Sequence, residues 1–152
     1  MTGEPIYFYS TQEEPYGVFS NFSAHPFALD GLRWATAEHY FQAQKFAGTA
    51  HVEQIRRAHS PKEAARLGRE RRRPLRADWE AVKDDVMRRA VRQKFEQYPA
   101  LRALLLGTGD APLVENTTGD YYWGCGSDGS GKNMLGQILM EVRAALRVES
   151  GK

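Results

Sequence analysis

The sequence predicts an α+β fold with a small, mainly antiparallel sheet covered by several helices. Three observations support this. Short apolar runs near the N-terminus have strand character. A run of helical segments with caps and apolar stripes follows. A late Leu113-Val114 pair then precedes a closing helix. Strands first and helices later, rather than strict alternation, is the α+β pattern.

Each element has a local reason. Ile6-Tyr7-Phe8-Tyr9 reads as a short buried strand. Phe27-Ala28-Leu29 and Leu32-Arg33-Trp34 flank Asp30-Gly31, a hairpin signal, because both central positions of a type I′ turn need positive φ. Thr36 can cap a helix over Ala37–Ala47, with Gly48 as its stop. Ser60-Pro61-Lys62-Glu63 is a capping box with proline at the first helical position, opening a helix to about Glu70. Trp79, Val82, Val86 and Ala90 form one stripe of a helix over Trp79–Glu96. Pro99 opens a short apolar helix through Leu106, ended by Gly107. Leu135, Ile138, Leu139, Val142 and Leu146 keep helical spacing in a last helix over Met134–Arg147.

The 152 residues suit one domain, 1–152, with a core over about 6–147. No apolar run reaches the roughly 18 residues that span a bilayer, so no membrane contact is expected. Met1-Thr2-Gly3-Glu4-Pro5 lacks the basic and apolar regions of a signal peptide. Cys125 is the single cysteine, which excludes an intramolecular disulfide and favours a reducing, cytoplasmic setting. His25, His39, His51 and His59 have no paired ligand spacing, so no metal or cofactor is expected. Net charge is +2, yet eight basic residues crowd Arg56–Arg73. They form either a solvated helix surface or a contact patch for phosphate or nucleic acid.

One segment concentrates chemistry. Ala37, Tyr40, Phe41, Ala43, Phe46 and Ala47 surround most of a helix that also carries Glu38 and Lys45. A helix apolar nearly all round is usually buried. Seven residues bring the turn to about 20° short of two full rotations, so Glu38 and Lys45 share a face about 10.5 Å apart along the axis. Gln42 lies between them. The separation is too long for a simple ion pair and suits a polar ligand held between carboxylate and ammonium, unless both side chains reach water or each pairs with another element.

A second candidate is Gly124–Asn133, four glycines leading into a helix, either an anion cradle or a surface loop. It nearly spells a P-loop. Asn133 replaces the magnesium-binding hydroxyl, however, and too little chain follows for a parallel sheet. Glu115, Asp120 and Trp123 stand just upstream, where aromatic faces stack on bases or pack into a core. Asn21 supplies either a polar loop contact or a turn.

The motifs together resemble the NADAR, or YbiA-like, family. They run from Phe19-Ser20-Asn21-Phe22 through Trp34 and Glu38-His39-Tyr40-Phe41-Gln42-Ala43-Gln44-Lys45-Phe46. They continue in Ala64-Ala65-Arg66-Leu67-Gly68-Arg69, Pro74-Leu75-Arg76 and Trp79-Glu80, and end in Tyr122-Trp123-Gly124, Gly131-Lys132-Asn133 and Leu135-Gly136. The resemblance implies an N-glycosidase. One branch cleaves phosphoribosylamino-pyrimidine intermediates of riboflavin synthesis, releasing ribose 5-phosphate. Another removes ADP-ribose from guanine in nucleic acid. It implies catalytic roles for Glu38 and Lys45. Substrate contacts are expected at Asn21, Gln42, Arg69, Trp79, Glu115, Asp120, Trp123, Gly124, Lys132 and Asn133. A nucleotide- or nucleic-acid-binding module without catalysis, using Arg56–Arg73 and the glycine loop, is the alternative.

Overall fold

A computed structural model describes residues 3–151. The described chain falls into two compact units. One runs up to Ser20 and resumes at Phe95; the other is Asn21–Lys94.

The first unit holds β1 (Ile6–Phe8) and a 3-10 turn (Tyr16–Phe19). The last turn of a long helix leads on to α5 (Pro99–Gly107), β4 (Leu113–Glu115) and α6 (Met134–Ser150). β1 pairs in parallel with β4, Tyr7 opposite Val114. Phe8, Phe19, Phe95, Leu105, Leu113, Leu135 and Ile138 are buried. Phe19 sits between Phe8 and Phe95, with ring centroids 5.7 and 5.8 Å away.

The second unit contains the hairpin β2 (Phe27–Leu29) and β3 (Leu32–Trp34), then α1 (Ala37–Gln44), α2 (His51–Arg56), α3 (Pro61–Gly68) and most of α4 (Trp79–Gln97). The hairpin is antiparallel, with Phe27 opposite Trp34. Asp30 and Gly31 both have positive φ, 56° and 77°, as the turn chemistry requires. Trp34 closes the hairpin by donating Nε1–H to the Leu29 carbonyl at 2.9 Å, and it meets Tyr40 edge-on at 5.1 Å.

Both predicted caps form. Thr36 accepts from the His39 amide and Ser60 from the Glu63 amide, at 3.1 and 3.0 Å. His39 secures the first turn of α1 further. Its Nε2 lies 2.9 Å from the Ala58 carbonyl, which can only accept, so Nε2 carries the proton. Its Nδ1 then accepts from the Thr36 hydroxyl at 2.8 Å. Burial holds the imidazole below its ordinary pKa, more than the Ala58 carbonyl raises it, and this net lowering fits the neutral tautomer.

The mainly antiparallel sheet is right only in part: among the described residues there are two separate two-stranded sheets, one antiparallel and one parallel. The parallel pair joins chain segments more than a hundred residues apart, and no periodicity announces such a pairing. The Ile6–Tyr9 strand stops at Phe8, and Tyr7 and Tyr9 are exposed rather than buried. A two-stranded sheet leaves one face of β1 uncovered. α1 ends at Gln44, not Ala47, with Gly48 at φ 86° after a turn. α3 ends at Gly68, not Glu70. α2 was not anticipated. It has six residues and no side-chain cap, and lacks a signal beyond Val52 and Ile55.

Candidate functional site

In the Asn21–Lys94 unit, α1 packs against α2 and α3. This burial explains its apolar circumference: Ala37 through Ala43 are all buried, Glu38 and Gln42 included. Burying a carboxylate is costly unless donors satisfy it. Gln42 supplies one, its Nε2 donating to Glu38 Oε2 at 2.7 Å across one helical turn. Gln42 therefore occupies much of the gap that the sequence suggested for a ligand.

Lys45 follows the last helical residue but keeps helical angles, φ −56° and ψ −24°. Its Nζ donates to the Gly68 carbonyl at 3.3 Å and lies 6.0 Å from the centre of the Phe41 ring. Three influences act on its proton. Burial pushes the ammonium below its ordinary pKa, the Glu38 charge opposes this, and the Arg69 charge adds to the lowering. Burial dominates, so the amine loses its proton more readily than a surface lysine.

Gly68, the last residue of α3, was missed as part of this site. Its α-carbon approaches Gln42 so closely that an added Cβ would lie 2.8 Å from Gln42 Cδ and 3.0 Å from Gln42 Cβ, and nearer still to Oε1. Gln42 Oε1 is buried there without a hydrogen-bond partner. A continuous path results: Glu38 carboxylate, Gln42 amide, Gly68 backbone, Lys45 amine. A glycine within a helix costs about 1 kcal/mol relative to alanine, and that unexplained cost was the available signal.

Lys45 borders a cavity of about 620 Å³. Phe46, Pro74, Leu75 and Trp79 give it apolar walls, and Arg69, Arg71 and Glu70 line it with charge. Trp79 is held edge-on against Phe41 at 5.1 Å. Two of the expected contacts, Arg69 and Trp79, thus share a cavity with Lys45. Asn21 does not line it. Its Nδ2 lies 3.3 Å from Met87 Sδ, and its backbone carbonyl accepts from the Glu38 amide.

The basic run is largely neutralised within itself. Glu53 pairs with Arg56 and Arg57; Glu63 pairs with Arg66. Glu70 takes Arg66, Arg72 and the buried Arg73. Among the described residues, Lys62, Arg69 and Arg71 are the cations of Arg56–Arg73 with no ion-pair partner.

The remaining expected contacts, Glu115, Asp120, Trp123, Gly124, Lys132 and Asn133, belong to the other unit. Most amides of the loop that the sequence reads as either an anion cradle or a surface loop donate internally. Gly131 donates to the Cys125 carbonyl, Lys132 to Tyr121, Asn133 to Gly124, Met134 to Tyr122 and Leu135 to Trp123. Asp120 Oδ1 accepts from the Tyr122 and Trp123 amides, at 3.0 and 2.8 Å. Asn133, left-handed at φ 53°, accepts from the Glu115 amide and donates to the Leu113 carbonyl, both at 2.9 Å. Gly124 has no room for a Cβ against Thr117. Lys132 Nζ lies 5.1 Å from the Tyr122 ring centre, and Tyr122 meets Trp123 edge-on at 4.9 Å. Among the described residues, no three His, Cys, Asp or Glu side chains gather as a metal site. No described helix is long and apolar enough to cross a membrane.

Comparison with known proteins bears on this geometry. A family model described as the NADAR domain matches residues 7–147. The N-glycosidase YbiA of Escherichia coli K12 is 58% identical over 144 residues, covering 95% of this chain and 89% of that protein. The NMR structure of E. coli YbiA superposes with a TM-score of 0.92 at 55% identity, covering 100% of this chain and 90% of that one. A riboflavin biosynthesis protein of Vibrio vulnificus, VVA0006, is 43% identical over 144 residues. The match covers 95% of this chain but 39% of that longer protein.

Proposed function

The chain belongs to the NADAR family, and on that premise we propose that this hydrolase of N-glycosyl bonds acts on phosphoribosylamino-pyrimidine intermediates of riboflavin synthesis. Ribose 5-phosphate and the free amino-pyrimidine are the products, and residues 1–152 act as one catalytic domain. The N-glycosidase name of YbiA supports the reaction class. The riboflavin name of the Vibrio relative supports the substrate.

One observation carries the reading. A buried carboxylate on α1 and an amine of lowered proton affinity at its C-cap are linked through Gln42 and Gly68, with the amine at the wall of a cavity. In the proposed mechanism Glu38 transfers protons. The exocyclic nitrogen of the substrate expels the ring oxygen, which takes a proton, leaving C1 as an iminium. The Lys45 amine adds to C1 and the pyrimidine amine departs with a proton, so C1 is held as an imine on lysine. Water then adds to C1, releasing the sugar aldehyde and restoring the amine. The net change is one water consumed. An alternative keeps the ring closed, with an oxocarbenium-like C1 attacked by water that Glu38 activates and Lys45 acting as an electrostatic stabiliser.

The experiment offers the purified protein a phosphoribosylamino-pyrimidine and an ADP-ribosylated guanine oligonucleotide side by side. Release of ribose 5-phosphate from the first supports the proposal, and release of ADP-ribose from the second alone overturns the substrate. Glu38→Gln should abolish release. Borohydride during turnover should add a mass tag at Lys45; turnover without a tag selects the closed-ring route. Oligonucleotide binding with no release from either substrate would point to the non-catalytic module.

A further inference from the structure

Around the cavity beside Lys45, acids and bases are unequally matched. Glu70 lines the wall, but its carboxylate already holds Arg72 and Arg73, both at 2.6 Å, and Arg66 at 3.1 Å. Glu80 also lines it and holds Lys83 at 2.7 Å. Arg69 and Arg71 line the same cavity, and among the described residues no acid meets either. Two arginines with no acidic partner among the described residues thus line a space whose acids are already neutralised. A guanidinium binds a phosphate oxygen pair through two parallel N–H bonds, stronger than neutral hydrogen bonds.

We propose that Arg69 and Arg71 form a subsite for a phosphate group of the substrate, so that the cavity takes phosphorylated ribose and discriminates against unphosphorylated ribosides. The inference rests on the proposed substrate class, and it adds which residues hold the phosphate. The cavity has the room: about 620 Å³ accommodates a sugar phosphate, with Trp79 and Leu75 as apolar walls for the rest of the molecule. The geometry also sets direction. Gly68 presents its carbonyl to the Lys45 amine, and Arg69 is the next residue along the chain. A phosphate anchored on Arg69 therefore places the attached sugar close to the amine.

The test reads binding of products, which needs no turnover. Ribose 5-phosphate, ADP-ribose and ribose are titrated into the protein and into Arg69→Ala, Arg71→Ala and the double variant, followed by calorimetry. Each single change should weaken ribose 5-phosphate binding about tenfold or more, the range expected for a hydrogen bond to a charged partner. Ribose should be unaffected. A matching loss for ADP-ribose alone would support the subsite and identify pyrophosphate as its source. Lys62→Ala removes an unpaired cation of the same segment that does not line the cavity, and it should change nothing. Equal affinity of wild type and double variant for both phosphorylated ligands overturns the subsite. So does a loss as large in Lys62→Ala, which marks diffuse attraction. Arginine-dependent binding without hydrolysis would leave the subsite standing and remove the proposed reaction. Hydrolysis without arginine-dependent binding would do the reverse.

Discussion

Gly68→Ala is a one-carbon change with a calculable outcome. Gly68 closes α3 with ordinary helical angles, so space rather than backbone conformation demands glycine. On an exposed helix the change would stabilise by roughly 0.5–1 kcal/mol. Here the new methyl would lie 2.8 Å from Gln42 Cδ and 3.0 Å from Gln42 Cβ, both inside normal contact. Gln42 is 6% exposed and has nowhere to retreat. Overpacking of this kind costs about 1–3 kcal/mol. Moving the amide also forfeits its 2.7 Å bond to Glu38, about 1.5–3 kcal/mol for a charged acceptor. The net expectation is a loss of about 2–5 kcal/mol, measured as a shift in the urea unfolding midpoint at unchanged slope. Because the obstacle is the Gln42 side chain, Gln42→Ala should absorb much of the penalty. In that background Gly68→Ala should cost at least about 1 kcal/mol less than in the wild type. Additive costs, within the roughly 0.5 kcal/mol typical of independent sites, would refute the coupling. Turnover should fall in Gly68→Ala together with stability, since the Gln42 donor to Glu38 is displaced.

Other expectations follow from particular residues. Lys94 is 1% exposed, and burial pushes its ammonium from 10.5 down to about 7. Between pH 7 and 10 the unfolded chain binds a proton that the folded chain does not. The unfolding free energy should therefore rise with pH, by up to about 1.4 kcal/mol per unit. The lowered Lys45 adds to this slope, and Lys94→Met should flatten most of it in urea titrations at pH 7, 8 and 9. Tyr40 donates to Asp30 Oδ2 at 2.8 Å, and burial raises its phenol above the ordinary 10. Its stabilisation is complete below pH 10 and lost above it, and Tyr40→Phe should remove that alkaline loss. Ser60→Ala deletes the α3 cap and should lower stability by about 1 kcal/mol without altering ligand binding.

Local chemistry was the legible part of the sequence. Thr36 and Ser60 announced their helices because a cap is a one-residue decision, and Asp30-Gly31 announced its hairpin for the same reason. The Glu38–Lys45 helix was legible because an apolar circumference with two charges is anomalous in itself. The β1–β4 pairing was not, since each strand is three residues long and the partners are far apart in sequence. Charge over Arg56–Arg73 left two readings open, a solvated surface or a contact patch. Residue letters show eight cations, while the ion pairs to Glu53, Glu63 and Glu70 depend on how the helices turn. The glycine loop was legible only as two alternatives, a cradle or a surface loop: composition does not show that the amides of Gly131 to Leu135 donate to the carbonyls of residues 121–125.

The Asn133 amide has one more effect. β1 engages one edge of β4, through the Pro112 carbonyl and the Asn116 amide. The opposite edge offers the Leu113 carbonyl and the Glu115 amide, and the two arms of the Asn133 side chain take both. The Cys125 amide takes the Glu115 carbonyl beside them. A single asparagine thus imitates a neighbouring strand. A bare strand edge is a template on which a foreign chain can pair and aggregation can begin. On the side away from β1, the Leu113 carbonyl and the Glu115 amide and carbonyl are therefore not offered to a foreign chain.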